Sequence, residues 1–374
     1  MKIRLVIAVA FAVVFLSACK KEDNKVIYTE PTTPIVEKET EPPTEGITES
    51  VHTTEEMTES VPTEIEDKVI YDAICLELGY EKGYELTKED YESVTYLAIW
   101  EGNVETLSGI SLLKNLEELH IGPGTIRDIS ELTLIESLRT LNINNNYITE
   151  IPDFSNCSLT YVYFGGNMIR DISPLAKLEK LEHIDVGDNF ITSIKSFKDN
   201  KNMRFFCVGN NCIMDYEVIS DNEAMIKALE EGCQTSYEDC IATNERAKEI
   251  VKYILDLPEL EREKYIYQYV IDNMIYEVVP GPITPFGYTG LMTGKGVCGD
   301  YAEAFCLLAV SAGLECYVCN SETHAWNIVK IDDRYYHCDA TWDDTDVEWL
   351  YFNVSGEEIS QDSDHVYDVN RYPN

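Results

Sequence analysis

The stretch Leu138-Arg139-Thr140-Leu141-Asn142-Ile143-Asn144-Asn145-Asn146-Tyr147-Ile148-Thr149-Glu150-Ile151-Pro152-Asp153-Phe154 places apolar residues at 138, 141, 143, 148, 151 and 154 and an asparagine at 146. The same spacing returns as Leu159, Val162, Phe164, Asn167, Ile169, Ile172 and Leu175, and again as Leu181, Ile184, Val186, Asn189, Ile191, Ile194 and Phe197. The unit-initial residues Val94, Leu116, Leu138, Leu159, Leu181 and Met203 follow one another in steps of 22, 22, 21, 22 and 22. Apolar residues two apart describe a short strand with one buried side. The recurring asparagine is suited to bonding backbone carbonyls at the turn that follows. A unit of this size hides its apolar face only against its neighbours, so the pattern implies a stacked coil. Gly102 and Gly124 occupy the asparagine place in the first two units, which leaves that ladder incomplete there.

These units resemble the 22-residue, internalin-like class of bacterial leucine-rich repeats. Residues 69–92 are expected to form an atypical cap, and the helical stretch Asp221–Glu231 to close the other end. Residues alternating with the buried ones face outward on the concave sheet. One such row reads Tyr96, Glu118, Thr140, Tyr161, His183 and Phe205, and the next Ala98, His120, Asn142, Tyr163, Asp185 and Cys207. Trp100 opens a third. Tyr96, Trp100, Tyr161, Tyr163 and Phe205 make this face richer in aromatics than solubility requires, and aromatics favour interfaces. They are candidate protein-binding residues, unless neighbouring rows or a second domain cover them.

After about Ala242 the rhythm changes. Residues 243–255 and 259–275 read as amphipathic helices separated by Pro258, and a Pro/Gly-rich loop runs from Pro280 to Gly296. An apolar helix then opens at Cys298 and ends near Gly313. Strand-like runs follow at 315–320, 325–331 and 334–341, with Asp332-Asp333 as the turn between the last two. Three segments carry the chemistry: Gly294-Lys295-Gly296-Val297-Cys298-Gly299-Asp300-Tyr301-Ala302, His324-Ala325-Trp326-Asn327, and Tyr336-His337-Cys338-Asp339-Ala340-Thr341-Trp342-Asp343. In order and context they resemble the nucleophile, histidine and aspartate motifs of the transglutaminase-like superfamily. That resemblance implies an α+β, papain-like domain with Cys298, His324 and Asp339 as catalytic residues, and Tyr276 as an upstream aromatic assisting the oxyanion. Cys338 departs from it, since many members carry an aliphatic residue there.

The residues support this reading independently. A thiol is nucleophilic as thiolate, and a helix start favours the thiolate through its dipole and free amides. Cys298 lies where a glycine-rich loop meets an apolar helix. With a two-residue turn at 332–333, Ile331 pairs with Arg334, Trp326 lies opposite Asp339, and His324 sits diagonal to Asp339. The two strands thus bring a base to its orienting carboxylate, as a Cys-His-Asp relay requires. Trp326 and Trp342 are expected to wall the cleft, and His337 is a neighbour candidate only. Asp343, Asp344 and Asp346 lack a calcium-loop pattern and read as a solvated acidic turn, so neither metal nor cofactor is expected.

At 374 residues with 44% hydrophobic residues the chain has room for two domains and a linker. With 29 basic against 68 acidic residues the formal charge is −39, which excludes electrostatic attraction to nucleic acid. Lys2 and Arg4 precede an unbroken apolar run from Leu5 to Leu16, shorter than the roughly 20 residues a bilayer span needs. Leu16-Ser17-Ala18-Cys19 follows and resembles the lipobox of bacterial lipoproteins, which implies lipid on Cys19 and an extracytoplasmic, membrane-anchored location. Such a location permits disulfides, with Cys233 and Cys240 the most plausible local pair. The expected organisation is a signal peptide over 1–19, a disordered Thr/Glu/Pro-rich linker over 20–67, repeats with their cap over 68–215, a cap and linker over 216–241, and the thiol domain over 242–374. The expected function is a thiol enzyme acting on amide bonds of a protein or peptide substrate, by hydrolysis or transamidation. The alternative is an adhesion lipoprotein that only binds.

Overall fold

The computed structural model describes residues 64–344 and 348–373; the expected signal peptide, Cys19, most of the linker and Asp346 lie outside them. The described residues begin before the end of the tract read as linker. Ile65 is buried in the repeat core. The Asp67 carboxylate caps helix α1 (Lys68–Glu77), accepting from the amides of Val69 at 2.8 Å and Ile70 at 3.3 Å, while its other oxygen takes the Glu105 amide at 2.9 Å. Helix α2 (Lys88–Ser93) completes this cap.

Six strands follow: β1 (Tyr96–Ile99), β2 (Glu118–Ile121), β3 (Thr140–Ile143), β4 (Tyr161–Tyr163), β5 (His183–Asp185) and β6 (Phe205–Cys207), paired parallel in sequence order. Their register aligns Tyr96, Glu118, Thr140, Tyr161, His183 and Phe205 in one row. The expected asparagine ladder is present from Asn146 to Asn211. Asn189 is typical: its Nδ2 donates to the carbonyls of Phe164, Val186 and Gly187, each at 3.0 Å, and its Oδ1 accepts from Ile169 N at 2.9 Å. Gly102 breaks the ladder for a reason of packing. It holds φ at +96°, and a Cβ there would meet a Val69 methyl of α1 at 2.9 Å.

Helix α3 (Glu223–Cys233) closes the far end on β6, and Gly232 permits the approach, since a Cβ would come within 2.4 Å of Phe206 backbone. Among the described residues every cysteine is a free thiol. Cys233 does not join Cys240. It turns inward to β6, where its sulfur accepts from Val208 N at 3.3 Å, because that edge leaves an amide unpaired.

The second layered unit comprises α4 (Tyr237–Val251), α5 (Glu259–Asn273), β7 (Ile275–Tyr276), β8 (Lys295–Gly296), α6 (Cys298–Ser311), β9 (Glu315–Asn320), β10 (Ala325–Ile331), β11 (Arg334–Cys338), α7 (Ala340–Asp343) and α8 (Gly356–Ile359). Strands β9, β10 and β11 form an antiparallel sheet in the order β11-β10-β9, against which α6 packs. Asp332 and Asp333 form the β10–β11 turn with φ of 48° and 62°, the left-handed pair that a tight hairpin demands, and Ile331 pairs with Arg334. Architecture and order are thus those expected: a leucine-rich-repeat solenoid followed by an α+β domain. Among the described residues no helix is long and apolar enough to cross a membrane.

Candidate active site

Cys298 is the first residue of α6 and only 6% exposed. The turn before it is closed by Asp300, whose carboxylate accepts from Val297 N at 2.8 Å. Parallel pairing of β7 with β8 sets Tyr276 opposite Gly296, two residues before the thiol. Tyr276 is 40% exposed, its ring 6.3 Å from that of Tyr301.

His324 lies just before β10 and Asp339 just after β11. The hairpin brings His324 Nε2 to 2.6 Å from Asp339 Oδ2, both side chains being buried. His324 Nδ1, the ring nitrogen that Asp339 does not engage, is buried, and the Cys298 thiol is near enough to act on the ring. Burial alone would disfavour the imidazolium. Hydrogen bonding to Asp339 and then to Cys298, with their charges, outweighs it and lifts the His324 pKa to about 10. Burial would likewise raise the Asp339 carboxyl, but hydrogen bonds from His324 and then His365 hold it below its ordinary value.

His365 was not singled out in the sequence. Its Nε2 lies 3.0 Å from the same Asp339 Oδ2, while Oδ1 accepts from the amides of Thr341 at 2.9 Å and Trp342 at 3.2 Å. His324, Asp339 and His365 place three ligand-type atoms within 4.8 Å of one another. Each nitrogen, however, sits at direct hydrogen-bonding distance from the oxygen, whereas a bridging zinc would need each donor ~2 Å from itself and the donors correspondingly further apart. The donor set is satisfied as a proton network.

Trp326, expected at the cleft wall, is 1% exposed and lies behind His324, its indole N–H donating to His337 Nδ1 at 2.9 Å. His337 also bonds Tyr367 Oη at 3.2 Å through Nε2, and burial depresses its pKa to about 4. It is therefore a structural acceptor. Trp342 is half-buried, its ring 5.6 Å from His324. Asp343 is not part of a solvated turn. It is buried and accepts from the Tyr267 hydroxyl at 2.5 Å and from the amides of Leu350 and Tyr351 at 3.0 Å. Asp344 accepts from the Tyr301 hydroxyl at 2.7 Å. Cys338 is explained by what lies beneath it: its thiol is 3.2 Å from Oε1 of the buried Glu263, whose pKa burial lifts to about 7.

Residues 247–340 match the transglutaminase-like superfamily. Residues 136–177 and 157–199 match leucine-rich repeats in two copies. No curated protein matches the chain significantly. Among solved structures, an internalin of Listeria monocytogenes is 26% identical with a TM-score of 0.40, over 44% of this chain and 48% of its own. A leucine-rich-repeat protein of Leptospira interrogans is 22% identical with a TM-score of 0.32, over 34% of this chain and 35% of its own. This chain therefore spans less than half the length of either.

The transglutaminase-like domain docks on the edge of the repeats that follows the strands. Phe190 meets the Tyr317 ring at 4.8 Å, and Arg170 pairs with Glu315 at 3.0 Å. The concave rows are left to pack among themselves: Tyr161 against His183 at 4.7 Å, His183 stacked on Phe205 at 5.8 Å, and Tyr96 and Trp100 flanking His120. Tyr96, Tyr161, Tyr163 and Phe205 are half-buried, and Trp100 is 61% exposed.

Proposed function

We propose that the protein is a membrane-anchored, extracytoplasmic thiol enzyme that opens amide bonds of a protein or peptide through an acyl-Cys298 intermediate, with the repeats binding the target. The observation that carries this reading is the approach of the His324 ring to a thiol at a helix start on one side and to the Asp339 carboxylate at 2.6 Å on the other. A histidine with a pKa near 10 is an imidazolium at neutral pH, the partner a reactive thiolate requires.

Cys298 Sγ attacks the carbonyl carbon, and the oxyanion is met by backbone N–H groups at the start of α6, with Tyr276 as a further donor. His324 gives its proton to the leaving amine as the C–N bond breaks, leaving a thioester. Water then attacks, His324 takes its proton, and the C–S bond breaks to restore the thiol and release a carboxylic acid. Asp339 keeps the imidazole oriented throughout. An amine in place of water would give transamidation, and water is the acceptor proposed here.

An amide-mimicking electrophile followed by peptide mapping tests the nucleophile: label on Cys298 is expected, and label only elsewhere overturns the assignment. Hydrolysis is separated from transamidation by adding a primary amine and weighing the product. The anchor is tested by Cys19→Ser, which should move the protein from the membrane pellet to the soluble fraction; retention in the pellet removes the lipoprotein reading.

A further inference from the structure

We infer that His365 is a positioning residue for the Cys298–His324–Asp339 system, a second histidine whose Nε2–H holds the carboxylate that orients the first. This rests on the thiol-enzyme reading above and adds to it a residue beyond the part of the chain that matches the family.

Asp339 is wholly buried and accepts four hydrogen bonds. Two backbone amides fix Oδ1, and the two imidazoles share Oδ2 at 2.6 and 3.0 Å. With the α7 amides and His324 alone, Oδ2 would rest on the one ring that catalysis asks to move a proton. The second ring gives Oδ2 a donor from another direction that takes no part in that transfer. His365 is itself held in place: Trp326 and Trp342 meet it edge-on at 4.8 Å each, and Tyr351 stacks on it at 5.3 Å. With Nε2 donating to Asp339, its Nδ1 is left as the ring nitrogen without a hydrogen-bond partner, 4.0 Å from Asp362 Oδ1. The titratable groups facing it are Asp339, Asp362, His324, His337 and Tyr351. A mere space-filler in this cage would need no donor aimed at the carboxylate, and the ring has one.

Losing the His365 donor makes the Asp339 carboxylate easier to protonate and looser. The imidazolium–thiolate pair should then fail first on the acid side, where the thiol depends on its partner, and be spared where the thiol ionises unaided. The experiment is iodoacetamide alkylation of Cys298, read by peptide mapping between about pH 5 and pH 9. His365→Phe keeps the volume and removes the donor; it should slow alkylation about tenfold near pH 6, the effect of one charge-assisted hydrogen bond, and leave the rate near pH 9 unchanged. His365→Gln can place an amide N–H where Nε2–H lies and should recover most of the loss. Asp339→Asn serves as the control. If it moves the profile while His365→Phe does not, or if Phe and Gln lose equally at every pH, the positioning role is overturned and the thiol enzyme stands. If Asp339→Asn itself leaves the profile unmoved, the thiol-enzyme reading falls and this inference with it. Nitrogen NMR of the unmodified protein needs no variant to fold: a proton on His365 Nε2 is expected, and a proton on Nδ1 alone overturns the proposal.

Discussion

Asp339 shows how a buried charge is kept in a candidate active site. Its desolvation is offset by four donors, and each fixes an orientation as well as a charge. Asp339→Asn keeps the shape but presents an N–H where an acceptor is needed, which leaves His324 in the wrong tautomer. In serine-protease triads the matching change lowers turnover by roughly 10⁴. A comparable fall in amide turnover is expected, with thermal stability changed far less; near-normal turnover would remove the relay. His324 also makes stability depend on pH. Its pKa rises from 6.5 to about 10 on folding, so its contribution is complete below about pH 6.5 and drains away as pH rises toward 10. Melting temperatures across that window should decline in the wild type and run flatter in His324→Gln; parallel curves would show that the ring carries no such linkage. Cys298, His324 and Asp339 were legible because each sits in a local motif and the hairpin register could be counted. His365 was not. An irregular connection separates it from β11, and no periodicity reports where such a chain returns.

Elements tell the same story with different weights. The 22-residue spacing fixed the parallel sheet because each apolar position had one possible destination, the stack of its neighbours. Asn189→Ala would strip three carbonyls and one amide of their partner inside that stack. An unsatisfied buried group costs about 1–3 kcal/mol, so urea unfolding should show a loss of at least that size; a change under about 0.5 kcal/mol would mean that water replaces the side chain. The β10–β11 turn invites the opposite experiment. Both its residues are left-handed, and Asn-Gly suits that geometry better than Asp-Asp, so Asp332→Asn with Asp333→Gly should stabilise by about 0.5–1 kcal/mol. A lower midpoint would show that the Lys330–Asp333 pair matters more than the backbone. Asp343 was misread for an instructive reason. Adjacent acidic residues look solvated in sequence, and only the returning 350–351 backbone supplies the amides that bury one of them.

At the scale of the molecule, the aromatic rows lie on the strands β1–β6 and the Cys298–His324–Asp339 cluster in the domain that follows them. Tyr161→Ala with Tyr163→Ala should leave the coil folded, because both rings point away from its core, and should leave turnover of a small amide unchanged. Processing of a protein target should weaken, since interface aromatics often cost ~2 kcal/mol or more when truncated. The ratio of the two rates is the measurement. A shared fall would make the tyrosines structural, and no fall would move recognition off the concave face.

The run from His365 to Tyr372 ties the two domains together. His365 holds Asp339, Tyr367 meets His337, Asp368 takes the Tyr147 hydroxyl, and Arg371 donates to the repeat carbonyls of Gly166, Asn167 and Asp188. In the order of synthesis this run follows every repeat, the thiol and its base. A chain truncated after residue 360 would hold Cys298, His324 and Asp339 without the second imidazole and without the clasp on the repeats. Its thiol should alkylate slowly near pH 6 beside a chain that carries this run, so the arrival of residues 365–372 would itself arm the nucleophile.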